Sequence, residues 1–425
     1  MFDLQTCARP NILALQPYRC ARDDYKDDGT NILLDANENA YGPGLALEEL
    51  GKQKEIQSSG LELEVDLQGL NRYPDPHQTE LKQLLCDLRN AESQSPTPLR
   101  PDHLFIGVGS DEAIDNLIRC FCVPARDKIL TCPPTYGMYS VSACVNDVSI
   151  VKVPLQATND FAPDVPAICA ALAADPSIKL VYLCSPGNPT GTVIPKAAVD
   201  AILAHPSWNG VLIVDEAYVD FAAPGSSFAP AVPTHPNLVV MQTMSKAFGL
   251  AGLRIGAAFC APEVANLLNS LKAPYNISAP TSALARAALT EKHLARSTAL
   301  RDMIVKQRNR MVEELPKIEG VGRFRGGLNA NFVLVEMLDG RGGKPSNEVA
   351  LKVYERLAED RGVVVRFRGK EAGCEGCLRI TVGTEAEVSR FLKELRTVLG
   401  LILGHDSTRA ADEEAREQDA NAIVA

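Results

Sequence analysis

Residues 239–259 read VVMQTMSKAFGLAGLRIGAAF, and they place Lys246 and Arg254 between two apolar runs. The runs are rich in small and β-branched residues, as expected of buried strands. An ammonium or guanidinium group is costly to desolvate unless an anion pairs with it. Thr243 and Ser245 add hydroxyl groups, and the glycines of the run permit close backbone approach. The set suits a bound phosphate, and the alternative is a solvated surface loop.

The lysine has a second possible use in this segment. A lysine amine with a lowered pKa condenses with a carbonyl to form a Schiff base. A cofactor with both an aldehyde and a phosphate would therefore engage Lys246 and the surrounding donors together. Pyridoxal 5'-phosphate is such a cofactor, and we expect it to bind here with Lys246 as the catalytic residue.

The segment lies within a longer alternation of short β-branched runs and helical patterns, between residues 100 and 272. This alternation predicts a mostly parallel sheet covered by helices. Seven runs are candidate strands: LFIGV, KILTC, SIVKVPL, KLVYLC, GVLIVD, LVVMQT and RIGAAF. A second set of strands and helices includes NFVLVEM, ALKVYERLAED, GVVVRFR and CLRITVG. We expect an α/β fold, with a mostly parallel seven-stranded sheet in a large domain and a smaller α+β domain.

The same patterns divide the chain into four parts. Residues 1–40 are turn-rich and are expected to form an arm that packs on the small domain or on a partner subunit. The large domain is predicted over residues 41–285 and the small domain over residues 286–402. Residues 403–425 carry many acidic side chains and are expected to form a disordered tail.

Composition limits the classes of function that fit. The 425 residues are 46% hydrophobic and 23% charged, as in ordinary globular proteins. The formal net charge of −10 provides no basic surface for nucleic acid. No apolar run has membrane-spanning length and the N-terminal residues lack a secretory pattern, so we expect a cytoplasmic protein. The 12 cysteines are scattered and are expected to be reduced thiols. The pair Cys374 and Cys377 in CEGC is weak evidence for a metal site, and we predict none.

Polar groups follow four of the candidate strands. In open α/β sheets, ligands bind beyond the carboxyl ends of the strands. GSDE follows the first strand, SPGNPTG the fourth, DEAY the fifth, and Lys246 the sixth. Each stretch alone has an ordinary interpretation, as a helix N-cap, a turn or a satisfied buried carboxylate. Their occurrence at successive strand ends favours a single binding site.

These groups match the needs of pyridoxal 5'-phosphate. Asp215 would keep the ring nitrogen protonated. Asn188 and Tyr218 would donate to the phenolate oxygen, and Tyr136 would lie flat against the ring. The phosphate would be bound by the first turn of a helix and nearby side chains, namely Gly109, Ser110, Asp111, Thr243, Ser245 and Arg254.

Five stretches, SKAFGLAGLRIG, NPTG, DEAY, NRYPDP and LRITVGT, resemble fold-type I pyridoxal-phosphate-dependent aminotransferases. The most similar family is the histidinol-phosphate aminotransferases of the class II subgroup, and the resemblance runs from Asn11 to about Ile402. It implies transfer of an amino group between L-histidinol phosphate and 2-oxoglutarate, giving imidazole-acetol phosphate and glutamate, in histidine biosynthesis. It also implies a homodimer with shared active sites, in which Tyr73 of NRYPDP reaches the cofactor phosphate of the other subunit.

The resemblance further implies residues that bind the substrate. Arg379 in CLRITVG matches the arginine that binds the substrate anion, and a planar guanidinium accepts either phosphate or carboxylate. Arg366 in VVVRFRG resembles a second arginine of the phosphate pocket, although either Arg366 or the nearby Arg368 could be exposed. Tyr18 in QPYRCAR and Asn37 in LDANENAYGP resemble further substrate contacts.

One departure from the family pattern is Gly187 in SPGNPTG, where the family often has a second asparagine. Alternative functions remain open at this point. They are an aromatic or broad-range aminotransferase, a lyase similar to threonine-phosphate decarboxylase, and a cofactor-sensing regulator that is not an enzyme. The regulator would need a nucleic-acid-binding segment, and the sequence has no basic helix-turn-helix pattern.

Overall fold

The structure is a computed structural model that describes residues 30–45, 68–93 and 95–404. Within these residues the chain forms two compact units. One comprises residues 38–303 and 326–331, and the other comprises residues 30–37, 304–325 and 332–404. The described chain changes unit after Asn37 and again after Met303, whereas the sequence pattern places the boundary between the large and small domains near residue 285. The predicted domain bounds therefore stay a prediction, and most of the predicted arm and tail lies outside the described residues.

Strands and helices are numbered in chain order over the described residues. The strands are β1 Ile32–Leu33, β2 Leu104–Val108, β3 Lys128–Thr131, β4 Ser149–Lys152, β5 Ile178–Cys184, β6 Val211–Asp215, β7 Leu238–Thr243, β8 Ile255–Phe259, β9 Val321–Phe324, β10 Phe332–Met337, β11 Val363–Val364, β12 Arg366–Phe367 and β13 Cys377–Thr381. The α-helices are α1 Thr79–Asn90, α2 Gly109–Phe121, α3 Met138–Val145, α4 Val165–Ala174, α5 Lys196–Leu203, α6 Pro262–Leu271, α7 Ala279–Ala288, α8 Glu291–Glu314, α9 Asn347–Arg361 and α10 Glu385–Ile402.

The first unit is built on a seven-stranded sheet, in the order β2-β8-β7-β6-β5-β3-β4 over the described residues. Strands β3 to β7 pair in parallel, and β8 runs antiparallel to both β2 and β7. Strand β6 is buried along its whole length, which explains why its first four residues are all apolar rather than alternating with polar ones. The seven candidate strands all occur, and the predicted α/β fold with a mostly parallel sheet is confirmed.

The core of this unit lies between one face of the sheet and α2. Ile114, Leu117 and Ile118 of α2 pack against Ile213 of β6 and Met241 of β7. These helix positions recur at spacings of three and four, as expected of one apolar helix face. The first turn of α2 directly follows β2, so it lies at the carboxyl edge of the sheet.

The second unit contains a four-stranded antiparallel sheet in the order β12-β13-β10-β9, and a short parallel pair of β1 with β11. Helix α9 is capped at its start by the hydroxyl of Ser346, which accepts from Val349 N at 3.3 Å, and it ends at Gly362 in the left-handed conformation, with φ of 61°. Helices with an antiparallel sheet make this unit α+β, as predicted. Across the part of the chain that the structure describes, no helix combines the length and apolarity needed to cross a membrane.

Candidate active site

The first turn of α2 and the start of β8 form a cradle for an anion. The Gly109 amide donates to the Arg254 carbonyl at 2.8 Å. A Cβ atom on Gly109, which has φ of +73°, would lie 2.5 Å from Nη2 of Arg254, and one on Gly256 would collide with the backbone of Gly109 and Ser110. Glycine at both positions therefore allows Arg254 to approach the helix N-terminus. The first helix turn, with the positive end of the helix dipole, and the guanidinium of Arg254 together favour a bound anion.

Asp111 connects this cradle to an aromatic ring. Its Oδ2 lies 3.4 Å from Nη2 of Arg254, and its Oδ1 accepts from the Tyr136 hydroxyl at 3.1 Å. Burial, and after it the negative charge of Asp111, raises the pKa of Tyr136, so its hydroxyl keeps its proton and acts as a donor. Asp111 thus orients both side chains, rather than presenting its carboxylate to an anion.

Two hydroxyl groups stand at the carboxyl end of β7. Thr243 Oγ1 donates to the Ile255 carbonyl at 3.1 Å, and it lies 2.9 Å from Oγ of Ser245. The Ser245 amide donates to Thr243 Oγ1 at 3.2 Å. This turn joins the end of β7 to the start of β8, so the hydroxyls and Arg254 are brought to the same edge of the sheet.

Asp215 is a buried carboxyl group at the end of β6, with 2% of its surface exposed. Its oxygens accept from the Tyr139 hydroxyl at 2.6 Å and from the Ala217 amide at 3.1 Å. Burial raises the pKa of Asp215 to about 6, even though Tyr139, the amide of Ala217 and the charge of Lys246 each act to lower it. A cation bound against this group would favour its ionised form.

Lys246 lies close to the same strand end. Its Nζ is 5.9 Å from the centroid of the buried Tyr218 ring, and its positive charge is felt by Asp215. Asn188, also buried, follows β5, and the loop that carries it is attached to β6 through Ser185 N, which donates to Asp215 O at 2.8 Å. Three neighbouring strand ends therefore bring together an amine, a carboxyl group, a phenol and an amide.

In the second unit, Arg366 of β12 and Arg379 of β13 are directly opposite each other in antiparallel register. Arg379 is buried, donates to the carbonyl of Asp35, and has its Cζ atom 5.4 Å from the Phe332 ring centroid. Directly opposed side chains lie on the same face, where like charges destabilise a sheet. An anion bound between the two arginines would offset that repulsion.

Asn37 lies in the same unit and has φ of 53°. Its backbone N–H donates to Thr381 Oγ1 at 3.0 Å, and the Thr381 hydroxyl donates to Oδ1 of the Asn37 side chain at 2.8 Å. The pair fixes Asn37 beside β13, the strand of Arg379. In the first unit, Tyr73 is 80% exposed and stacks on Tyr275 with ring centroids 4.5 Å apart. Tyr18 lies outside the described residues.

Comparison with known proteins gives the family. A family model for aminotransferases of class I and II matches residues 30–395. The chain belongs to this aminotransferase family. Among curated relatives of this aminotransferase, the histidinol-phosphate aminotransferase of Schizosaccharomyces pombe is 52% identical over 400 residues, covering 94% of this chain and 98% of that protein. That of Candida maltosa is 50% identical over 403 residues, covering 94% and 99%. The family resemblance predicted from the motifs is confirmed.

A solved structure shows that the fold of this aminotransferase is shared. The crystal structure of histidinol-phosphate aminotransferase from Sinorhizobium meliloti in complex with pyridoxal-5'-phosphate matches with a TM-score of 0.76 at 24% identity. The match covers 93% of this chain and 98% of that one.

Tyr139 is a site residue of this aminotransferase that sequence reasoning missed. It lies three residues after Tyr136 at the start of α3, and its ring packs edge-on against Tyr136 at a centroid distance of 5.7 Å. Its position three residues after Tyr136, near the start of α3, was the available signal. The partner of the Tyr139 hydroxyl, Asp215, is 76 residues away, and no local pattern reveals it.

We expect Tyr139→Phe to reduce kcat of this aminotransferase by about 10-fold, because one hydrogen bond to a charged group contributes about 1.5–3 kcal/mol. Loss of the hydroxyl should also raise the pKa of Asp215 further, since its donation lowers that pKa. The measurement is kcat against pH for the variant and the wild type. Tyr182→Phe is the control, because the Tyr182 hydroxyl donates to the Ile114 carbonyl instead. An unchanged profile for Tyr139→Phe would contradict the role of its hydroxyl.

Proposed function

We propose that the chain is a histidinol-phosphate aminotransferase. It uses pyridoxal 5'-phosphate to transfer the amino group between L-histidinol phosphate and 2-oxoglutarate, in histidine biosynthesis. The observation that carries this proposal is the grouping of Lys246, Asp215 and Tyr218 at neighbouring strand ends, in a chain 52% identical to a histidinol-phosphate aminotransferase. The aromatic aminotransferase and the lyase remain the alternatives that an experiment must separate.

The residues present fit pyridoxal 5'-phosphate. The cradle of Gly109, Ser110 and Arg254 would hold its phosphate, because a side chain at Gly109 or Gly256 would close the space between helix and guanidinium. Thr243 and Ser245 would add hydroxyl donors at the same edge. When bound, the cofactor supplies an aldehyde for the substrate amine and a ring that withdraws electrons from the carbon that loses its proton.

Asp215 would bind the ring nitrogen, because its burial makes a lone negative charge unfavourable and a cationic partner favourable. Tyr139 fixes the orientation of this carboxyl group. Asn188 and Tyr218 would donate to the phenolate oxygen from the adjoining strand ends. Tyr136, held by Asp111, would lie against the ring.

Lys246 is the proposed catalytic residue. Its Nζ amine would take the proton from the amine-bearing carbon of the substrate and then deliver it to the aldehyde carbon of the cofactor, so one group would serve first as general base and then as general acid. The amine lies 5.9 Å from the ring centroid of the buried Tyr218, and its charge acts to lower the pKa of Asp215. Because one substrate must leave before the other binds, the kinetics should be ping-pong.

Arg379 would bind the anion of each substrate in turn, the phosphate of histidinol phosphate and a carboxylate of 2-oxoglutarate. Its guanidinium is fixed by the Asp35 carbonyl and the Phe332 ring, which leaves a planar group of defined orientation. Arg366, directly opposite on β12, would add a second positive charge. Asn37 and Tyr18 would contribute further substrate contacts.

We expect Arg379→Ala to lower kcat/KM by about 100-fold for both amino donor and amino acceptor, as one charge-assisted contact is worth about 1.5–3 kcal/mol. Steady-state kinetics with each substrate varied separately is the measurement. Arg368→Ala is the matched control, because Arg368 pairs with Glu371 at 2.7 Å beyond the end of β12. A loss confined to the acceptor would disprove the shared anion site.

The proposed function is tested by the absorbance of the purified holoenzyme. Adding histidinol phosphate with no keto acid present should remove the visible band of the bound cofactor, and 2-oxoglutarate should restore it. A band that histidinol phosphate leaves unchanged but phenylalanine removes would favour the aromatic aminotransferase. Release of carbon dioxide from threonine phosphate would favour the lyase.

We infer that the protein acts as a homodimer in the cytoplasm. The exposed stack of Tyr73 and Tyr275 supports the dimer, since exposed aromatic surface is typical of protein interfaces. Sedimentation should give twice the chain mass of 45.8 kDa, and a stable monomer would contradict the shared site. Cell fractionation tests the compartment, and recovery of the enzyme in a membrane fraction would count against the cytoplasm.

A further inference from the structure

A buried polar network lies on the face of the large sheet opposite the α2 core. Nε of Arg89, on α1, donates to Gln242 Oε1 at 2.7 Å, and Nη2 lies 2.9 Å from Oδ1 of Asp220. Nε2 of Gln242 donates to Glu216 Oε2 at 2.7 Å. Arg89 is 3% exposed, and Gln242 and Glu216 are also buried. The proposed function assigns no task to any of these four residues, which we call the Arg89 network.

The network lies beneath the cofactor-binding residues because consecutive residues of a strand point to opposite faces. Asp215 is in register with Met241, which packs in the α2 core, and Asp215 meets Tyr139 on that face. The residues that follow them, Glu216 after Asp215 and Gln242 after Met241, point to the other face and contact each other there. The proposed ring-binding carboxyl group and the network are thus adjacent in sequence and separated by the sheet.

Glu216 ties down the turn that follows β6. Its oxygens accept from Gln242, from the Ser227 hydroxyl at 2.6 Å and from the Phe228 amide at 2.5 Å. Burial raises the pKa of Glu216 to about 7, while these donors and the charge of Arg89 lower it. With three donors directed at it, the carboxylate is held in one orientation.

Arg89 joins two segments that carry cofactor-binding residues. Asp220 belongs to the short 3-10 helix Val219–Phe221, which begins directly after Tyr218. Gln242 directly precedes Thr243 and stands four residues before Lys246. Burial alone would lower the pKa of Arg89, but the carboxylates of Asp220, Glu92 and Glu216 raise it. The guanidinium therefore stays charged and keeps both contacts.

Stability alone gives a weak reason for such a network. Well-packed apolar residues of similar volume often replace a buried ionic group without loss of stability. A guanidinium adds something that apolar side chains lack, because its fixed donors specify the relative position of several acceptors. Here the specified acceptors lie on the segment of Asp215 and Tyr218 and on the segment of Thr243 and Lys246.

We propose that Arg89 is a positioning residue for the cofactor: through Gln242 and Asp220 it aligns the turn after β6 with the turn after β7. The inference rests on the proposed function for the identity of the cofactor. The residues of the Arg89 network are not proposed to contact cofactor or substrate. Loss of cofactor alignment is expected when the planar guanidinium of Arg89 is removed.

The test is Arg89→Lys in the holoenzyme, because lysine keeps the charge but cannot bind both acceptors with a planar fork. The readouts are visible circular dichroism of the bound cofactor, its dissociation rate, and kcat and KM. We expect a reduced visible signal, cofactor dissociation faster by about 10-fold, and kcat lower by about 10-fold with KM within about two-fold, as follows from small misplacement. Far-ultraviolet circular dichroism should not change.

Arg119→Lys is the matched control, since Arg119 is an exposed residue of α2 whose contact to Asp115 is a surface pair at 3.8 Å. It should leave every readout unchanged. If Arg89→Lys fails to fold, Gln242→Met replaces it, because methionine has similar volume and leaves the pairing of Arg89 with Asp220 intact.

A folded Arg89→Lys or Gln242→Met variant with wild-type cofactor dichroism, dissociation rate and kcat would overturn the proposal, even if its unfolding temperature were lower. Failure of the proposed function would appear differently. In that case the cofactor of the wild type would not respond to histidinol phosphate, while the dichroism and dissociation measurements would still compare Arg89→Lys with its control.

Discussion

Lys246→Ala should reduce multiple-turnover transamination by at least about 10³-fold, because positioned general acid–base groups contribute about 10²–10⁴-fold. The anion cradle at Gly109 and Arg254 does not include the lysine, so the variant should still bind the cofactor, although less tightly. Initial rates with both substrates, together with the cofactor content of the purified variant, measure the two effects.

A control and a rescue make this result specific. Lys196→Ala removes a surface lysine that pairs with Asp200 at 3.0 Å on α5, and its turnover should stay within about two-fold of the wild type. A small primary amine added to Lys246→Ala should restore part of the rate, since it can enter the vacated volume and accept the proton. Turnover within about 10-fold of the wild type in the unrescued variant would disprove the role of Lys246.

Asp215→Asn should lower kcat by about 10²–10³-fold, the loss typical of removing one preorganised electrostatic group. The amide keeps the shape of the side chain and can still accept from Tyr139, but it cannot stabilise a protonated ring nitrogen. Asp200→Asn, on the surface of α5, is the control. A kcat for Asp215→Asn equal to that of the wild type would exclude Asp215 as the partner of the ring.

The same substitution should change how stability depends on pH in the cofactor-free protein. Burial raises the pKa of Asp215 from 3.8 to about 6, so the folded chain binds this proton more tightly than the unfolded chain between those values. The wild type therefore loses about 3 kcal/mol of stability as pH rises through this window, and the asparagine variant lacks that loss.

Urea unfolding at several pH values measures the effect. The free energy of unfolding of Asp215→Asn, relative to the wild type, should increase by about 2 kcal/mol between about pH 4 and about pH 8. Groups that titrate in both proteins cancel in this difference. Cofactor should abolish the gain, because a cationic ring lowers the pKa of Asp215. A difference that does not vary with pH would show that the folded state does not raise that pKa.

The fold could be predicted from the sequence because its main elements are marked locally. The run VLIVD at 211–215 is buried on both faces, and its composition alone distinguishes it from an amphipathic strand or a surface helix. The polar residues at the strand ends could be predicted for a related reason, since the edge of a parallel sheet collects them wherever they lie in the chain.

The remaining parts of the site depend on pairing between distant segments. Arg89 and Gln242 are 153 residues apart, and neither lies in a motif that indicates the contact. Arg366 and Arg379 are 13 positions apart, but only the register of β12 with β13 makes them direct neighbours. The position of Asp111 in the first helix turn predicted a place in the anion site. It did not reveal that the carboxylate contacts Arg254 and accepts from Tyr136.

The order of strands in the large sheet has a consequence for how the bound cofactor is released. Over the described residues, β2 is an edge strand, whereas β6 and β7 are interior. Edge elements open with lower free energy than interior strands, and their amide hydrogens exchange with solvent sooner. Gly109 follows β2, and Asp215 and Lys246 belong to the interior strand ends. Transient opening at this edge should therefore loosen the proposed phosphate cradle first, so cofactor escape should begin as a local fluctuation while the centre of the sheet stays closed.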